Sequence, residues 1–327
     1  MIANIFVATG VLFTLVNDFV ALCIGRFIYG MSVGAFSVFC PKYISETAPI
    51  EVKGPAGALS QVCITFGILV AFCCGLGIGD VDDDDIDSFE IQYYWYILFI
   101  LPLAFSLIQV LLLWCVFPYD TPYMLKQKNK TEDLNKLMNN IYKTEEIAQE
   151  RIDIIVVQVG EDGEISYGEV CCDPKYSKAT FVGITLAIFS QLTGINAIMF
   201  YSNKIFKGLA ISATTVTALI GILNFLATLV GLSLLYCFGR KSLMLLFNAL
   251  MALTLLLLSY YSFDNNTTGM IVCVLLFICF FEFSTGCIVW LYLAEILQDK
   301  AASIATFIVW TTTLAIAIAI PLLLKMF

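Results

Sequence analysis

Seven polar side chains stand inside otherwise apolar runs of this sequence: Arg26, Gln61, Gln191, Asn196, Asn224, Glu282 and Trp290. In hydrocarbon each needs a partner, a water-filled cavity or a ligand. Amides dominate the set. They offer donors and acceptors without the desolvation cost of a full charge, which suits a neutral, hydroxyl-rich solute. An ion pump would need more carboxylates. The alternative for any single amide is interhelical glue. The richest cluster is Gln191-Leu-Thr-Gly194-Ile-Asn196. Gly194 weakens a helix by about 1 kcal/mol, and a local break there would let Gln191 and Asn196 address one cavity. Tyr201, just beyond, can form an aromatic wall or gate.

Other chemistries are excluded. With no histidine in the chain, Ser-His-Asp and Cys-His nucleophiles, His-Glu-x-x-His zinc helices and His-ligated haem all drop out. The 12 cysteines sit mostly in apolar runs (Cys23, Cys63, Cys73, Cys74, Cys115, Cys273, Cys279), with no zinc spacing, and read as small buried hydrophobes. Gly77-Ile-Gly-Asp80 matches the G-x-G-D string of intramembrane aspartyl proteases, with Asp120 as the second carboxylate. A shared-proton dyad needs contact, whereas these two lie at opposite ends of one span, roughly 35 to 40 Å apart. Gly75-x-Gly77-x-Gly79 lacks the strand and helix of a nucleotide fingerprint; close helix packing accounts for it and for Gly30-Met-Ser-Val-Gly34. The sequence therefore predicts no catalytic residue, metal or cofactor.

These residues need membrane helices to position them. Of the 327 residues 60% are hydrophobic and 13% charged, far from a soluble domain. Nine stretches approach the roughly 20 apolar residues of a crossing: 1–17, 19–41, 56–79, 92–117, 179–203, 212–237, 242–263, 268–296 and 301–327. Asn17 and Asp18 predict a tight interfacial turn between the first two. Of the 17 Lys and Arg residues, thirteen fall on one face of this threading, three (Lys204, Lys207, Lys325) on the other, and Arg26 within a span, which makes the first face cytosolic. The acidic run Asp80 to Glu90 and the sequons at Asn265 and Asn266 fall opposite; the run reads as a solvated loop. The polar segment 118–178 divides the spans four against five. This predicts an N-terminal bundle (1–117), a cytosolic linker with short helices (118–178) and a C-terminal bundle (179–327). The halves echo each other, Tyr43-Ile-Ser-Glu46 then Lys53-Gly54 against Tyr292-Leu-Ala-Glu295 then Lys300-Ala301, as parallel transporter repeats do. Nucleic acid is not an expected partner of a chain with formal charge -9; a small neutral solute and the lipid bilayer are.

Motifs in order across the chain resemble the sugar porter family of the major facilitator superfamily: Gly25-Arg26-Phe27-x-x-Gly30; Pro41-x-Tyr43-x-x-Glu46-x-x-Pro49-x-x-x-Lys53-Gly54; Gln61; Gln191-Leu-Thr-Gly-Ile-Asn196; Phe200-Tyr201-Ser202; Asn224; Gly239-Arg240-Lys241; and Glu282 before Gly286-x-x-x-Trp290-x-x-x-Ala294-Glu295. The resemblance implies an all-α membrane protein with a two-bundle fold that carries a hexose or related sugar by alternating access. Gln61, Gln191, Asn196, Asn224 and Trp290 would hydrogen-bond or cover the sugar. Tyr201 and Glu282 would serve gating or coupling. Glu46, Lys53, Arg240 and Glu295 would form a cytosolic charge network that latches the bundles in the outward-facing state.

Aligned with that family, the nine spans match helices three to eleven of twelve, so two helices upstream and one downstream are expected beyond this text. Several positions depart from the pattern. Ser190 stands where the family has another glutamine, and Lys53 replaces an arginine, turning a bidentate contact into a point charge. Pro118-Tyr-Asp-Thr-Pro122 lacks the Glu and Arg of the usual signature. The segment Gly286 to Trp290 lacks the family's prolines, which predicts a stiffer helix. Uniport and proton symport both stay open, as do a non-transporting sugar sensor, an inactive incomplete carrier and a carrier of polyols or other small organic solutes. The membrane is the plasma membrane or an internal one.

Overall fold

A computed structural model describes residues 2–49, 52–77, 89–161, 166–205, 213–264 and 266–326, and regular structure among them is entirely helical. The acidic run from Asp80 to Asp87 and the sequon residue Asn265 lie outside the described residues, while Glu90, the last acidic residue of the run, is in the first turn of α4. The first helices, α1 (Ile2–Thr14) and α2 (Phe19–Thr47), are separated by a turn at Asn17 and Asp18, as the two polar residues predict. The Asp18 carboxylate accepts from the Ala21 N–H at 2.9 Å and so caps α2. Helices α3 (Lys53–Gly75) and α4 (Phe89–Cys115) complete the first apolar group. Four helices fill the linker: α5 (Pro122–Gln127), α6 (Thr131–Ile141), α7 (Glu145–Glu161) and α8 (Tyr167–Cys172). Then come α9 (Ser177–Leu192), α10 (Ile195–Ile205), α11 (Ala213–Cys237), α12 (Arg240–Phe263), α13 (Thr267–Phe281), a π-helical turn at Glu282–Gly286, α14 (Cys287–Ile296) and α15 (Asp299–Met326).

Seven helices are long and apolar enough to cross a membrane, α13 to α14 counting as one continuous span, and the bent pair α9 and α10 makes an eighth. The nine apolar stretches are completed by α1, whose 13 residues rise only about 20 Å, against about 30 Å of hydrocarbon. Burial runs opposite to that of a soluble protein. Phe27, Leu256 and Phe307 are more than 70% exposed, whereas Ser32, Thr65, Asn224, Thr228 and Glu282 are almost fully enclosed. Apolar side chains pointing outward around a polar interior are what a lipid solvent selects.

The helices form two compact units. One comprises Met1–Gly57, Phe99–Thr180 and Leu297–Ser303; the other Ala58–Leu98, Phe181–Ile296 and Ile304–Phe327. In the first, α1 and α2 cross at reciprocal glycines. A Cβ at Gly10 would lie 2.7 Å from the Tyr29 backbone nitrogen, and one at Gly25 would lie 2.7 Å from the Gly10 carbonyl oxygen. Small residues let the backbones touch. The close packing expected at Gly30 and Gly34 is not found among the described residues, where a Cβ at either meets no neighbouring atom within 4 Å. Gly25→Ala should therefore destabilise the purified protein by about 1 to 3 kcal/mol, read as a lower unfolding temperature in detergent, while Gly30→Ala should be neutral or mildly stabilising. The linker helices α5 to α7 build their own small core in the same unit from Leu125, Leu134, Met138, Ala148 and Ile152.

In the second unit α10, α11, α12 and α13 pack around Ile195, Ile198, Val216, Ile220, Met251, Val274, Phe277, Ile278 and Phe281. Most of the polar groups that concern function lie on these helices, on α3, α9, α14 and α15, and on the π-helical turn.

Candidate functional site

The break foreseen at Gly194 is present. Gly194 has φ +91°, a left-handed conformation that a Cβ would strain, and α9 and α10 meet there at 41°. The turn brings the two amides together: Asn196 Nδ2 donates to Gln191 Oε1 at 2.6 Å. Thr313 on α15, buried at 8% exposure, joins them, its hydroxyl donating to Gln191 Oε1 at 3.0 Å while standing 3.4 Å from Asn196 Nδ2. Gln191 Nε2 donates to the Ser190 hydroxyl at 3.1 Å, so the serine that departs from the family pattern still orients the amide. Further along α10 the Tyr201 hydroxyl donates to the Ala317 carbonyl of α15 at 2.8 Å. Together these bonds tie the broken helix to α15.

The second group is centred on Glu282, 2% exposed. Gln61 Nε2 on α3 donates to Glu282 Oε2 at 3.2 Å and stands 3.5 Å from Oε1; the Thr228 hydroxyl on α11 approaches Oε2 at 3.1 Å. A buried carboxylate is held only with such donors. Asn224 lies one turn before Thr228 and is 1% exposed. Two buried acceptors, Gln61 Oε1 and Asn224 Oδ1, have no protein partner among the described residues. Amide acceptors enclosed without a donor cost about 1 to 3 kcal/mol each, so this group has acceptor capacity that a hydroxyl donor would satisfy. Two glycines make room for Glu282, one at its carboxylate and one at its backbone. A Cβ at Gly286 would fall 2.6 Å from Glu282 Oε2, and one at Gly231 on α11 would fall 2.7 Å from the Glu282 carbonyl oxygen.

Glu282 also begins the π-helical turn Glu282–Gly286. The Thr285 and Ser284 hydroxyls lie 3.0 and 3.5 Å from Asn248 Oδ1 on α12. The expected stiffness of a proline-free segment is thus met by another device, because π-turns interrupt a helix as prolines do. Trp290, half-buried, lies on α14 just beyond it.

Charges gather at the helix ends richest in Lys and Arg. In the second unit Arg240 grips Glu295 with two bonds, Nη2 to Oε1 at 2.9 Å and Nη1 to Oε2, the bidentate form that guanidinium geometry favours. In the first unit Glu46 lies 3.6 Å from Lys42, one turn earlier on α2, and Lys42 also pairs with Asp299 at the start of α15. The Lys53 side chain lies outside the described residues. So does Asp80, while Asp120, once weighed as its partner, pairs with Lys128 at 2.8 Å.

The family described as sugar (and other) transporter matches residues 1–327. The chain belongs to the sugar transporter family. It is 28% identical to hexose transporter 1 of Plasmodium knowlesi, over 99% of this chain and 68% of that one. The corresponding figures are 29%, 94% and 58% for hexose transporter 1 of Toxoplasma gondii, and 30%, 94% and 67% for the glucose transporter GlcP of Staphylococcus epidermidis. Among solved structures, the proton:xylose symporter XylE bound to 6-bromo-6-deoxy-D-glucose superposes with a TM-score of 0.81 at 23% identity, covering 99% of this chain and 72% of that one. The partially occluded inward-open XylE of E. coli gives 0.78 at 22% identity. The fold is that of the major facilitator superfamily, and the protein is a multi-pass membrane carrier, not an enzyme.

In this sugar transporter most of the residues singled out by type fall into three groups, Gln191 with Asn196 and Tyr201 against α15, Gln61 and Asn224 around Glu282, and Arg240 with Glu295, while Arg26 lies over the Tyr29 ring at 6.0 Å and Glu46 pairs with Lys42. Sequence reasoning missed Thr228, Thr313 and Asn248, which complete the first two groups and the π-turn, and Lys42 with Asp299.

Proposed function

We propose that this sugar transporter carries a neutral monosaccharide, a hexose or close relative, by alternating access of the bundles formed by 1–117 and 179–327, joined by the linker 118–178. Gln61, Gln191, Asn196, Asn224 and Trp290 hold the sugar, Tyr201 and Glu282 gate or couple the site, and Glu46, Lys53, Arg240 and Glu295 latch the cytosolic side. The observation that carries the reading is the pair of buried acceptors, Gln61 Oε1 and Asn224 Oδ1, without protein donors among the described residues and close to a buried carboxylate. Sugar hydroxyls are donors of the right kind and, unlike ammonium groups, bring no charge to desolvate. The relatives named as hexose and glucose transporters point to the same class.

Each such hydrogen bond contributes about 0.5 to 1.5 kcal/mol net, enough for recognition yet weak enough for release. In cells lacking hexose uptake, expression of the protein should restore entry of labelled glucose, and Gln191→Ala should lower uptake roughly three- to tenfold at equal surface abundance, since one lost bond is worth up to about a factor of ten. Unchanged uptake by that variant would remove Gln191 from the site. Glucose-dependent quenching of tryptophan fluorescence with no flux into proteoliposomes would make the protein a receptor instead.

A further inference from the structure

Threonine hydroxyls inside the helices of this chain lie against the carbonyl four residues earlier, as at Thr65, Thr185, Thr228, Thr311 and Thr313. Thr285 departs from that habit. Its side chain is only 4% exposed, and its hydroxyl turns off its own helix to donate to Asn248 Oδ1 on α12 at 3.0 Å. The buried Ser284 hydroxyl lies 2.8 Å from the Phe280 carbonyl and stands 3.5 Å from the same Asn248 oxygen. Phe247, the residue before Asn248, stacks on Phe280 with ring centroids 5.8 Å apart and meets Phe283 edge-on at 5.2 Å. Two consecutive residues of α12 thus hold the chain on both sides of Glu282.

Glu282 itself reaches other helices, meeting Gln61 of α3 and Thr228 of α11. In a regular α-helix, residues three apart lie on one face, about 60° from each other, so Glu282 and Thr285 would address the same neighbour. A π-turn widens the arc between them. Such turns are rare, and this one is held open by a donor and an acceptor on different helices. We propose that Asn248, acting through Thr285 and supported by Ser284 and Phe247, is a positioning residue of this carrier. It keeps the turn Glu282–Gly286 in its wide form and so sets Glu282 and Trp290 relative to each other. The proposal rests on the sugar-transport reading above. It adds to that reading a residue of α12, a helix that carries none of the residues assigned to the sugar. Without the bond, the Thr285 hydroxyl can return to the carbonyl four residues earlier and the segment closes to regular helix. Trp290 then turns relative to Glu282 by one residue of register, about 100°.

A mutant cycle, with flux and stability measured separately, tests this. Asn248→Leu and Thr285→Val each remove one partner at nearly constant volume, whereas Thr285→Ser keeps the hydroxyl. With purified protein in proteoliposomes, Asn248→Leu and Thr285→Val should each lower labelled-glucose counterflow about five- to thirtyfold, and Thr285→Ser should change it little. The double variant Asn248→Leu/Thr285→Val should transport as well as either single one, since the same bond is lost in all three. All should unfold in detergent near the wild-type temperature, because the regular helix satisfies its own backbone. Undiminished counterflow in Thr285→Val, equal loss in Thr285→Ser, losses that multiply in the double variant, or counterflow that falls only in step with the unfolding temperature would overturn the positioning role. Absence of counterflow from the wild-type protein would overturn the transport reading itself, and the positioning role with it.

Discussion

Gly286→Val is expected to abolish sugar uptake and to destabilise the protein by about 4 kcal/mol or more. The position has no space: its Cβ would fall 2.6 Å from Glu282 Oε2 and 2.9 Å from the carboxyl carbon. The carboxylate could swing away only by giving up Gln61 and Thr228, its two side-chain donors. Over-packing alone costs about 1 to 3 kcal/mol, and each buried polar group left unpaired adds about 1 to 3 kcal/mol. Gly286 also ends the π-turn, in which each residue is shifted relative to a regular α-helix. A β-branched residue there favours regular helix and would rotate Trp290 relative to Glu282. Thermal unfolding in detergent and labelled-glucose uptake measure the two effects. Gly286→Val with wild-type stability and uptake would show that the π-turn and the carboxylate are independent of each other.

The π-turn is also where the reading of the sequence changed most. A segment from Gly286 to Trp290 without proline predicts a stiff helix, and by the proline rule alone that is correct. The structure interrupts the helix by widening one turn, with Ser284 and Thr285 leaning on Asn248. No local pattern announces that, because a π-turn differs from an α-turn by one residue of register and not by residue type. The α9–α10 break was legible for the opposite reason: Gly194 supplies a left-handed backbone, and glycine is the residue that does so cheaply.

Threonines show the same limit. The hydroxyls of Thr228 and Thr313 each lie within hydrogen-bond distance of the carbonyl four residues earlier, and so do those of the half-buried Thr185 and the exposed Thr311. In the sequence all four are threonines in apolar text with the same local bond. Only the face of the helix decides that two of them complete polar clusters, and the face is set by packing partners far away in the chain. Amides announce themselves better, since no short backbone bond satisfies both ends of the group. Lys42 was counted in the charge bias that orients the chain, and its partner Asp299 lies 257 positions away, beyond any spacing rule. The nine apolar stretches were readable from hydropathy; that one is a 13-residue helix and another a bent pair depends on where each helix stops.

The second large effect is expected at the contact between Gln61 and Glu282. Glu282→Leu should lower uptake about tenfold to a hundredfold, because Gln61 Nε2 loses the only acceptor described for it while Gln61 Oε1 already has none. Thr228 suffers less, since its hydroxyl also reaches the Asn224 carbonyl at 2.8 Å. Gln61→Leu should be comparably damaging for the converse reason: it leaves a buried carboxylate with a single side-chain donor, which is costlier than having no carboxylate at all. The double variant Gln61→Leu/Glu282→Leu removes both partners together. If the pair acts as one unit, its loss of uptake will be well below the product of the two single losses, with a coupling of about 1 to 3 kcal/mol. Full additivity would mean that each residue meets the sugar separately and that their mutual hydrogen bond is incidental. Glu282→Gln separates charge from shape. It keeps an acceptor for Gln61 and for Thr228, so a variant that retains most of its uptake assigns the carboxylate to positioning the amide. One that fails as completely as Glu282→Leu assigns the negative charge itself to the transport cycle.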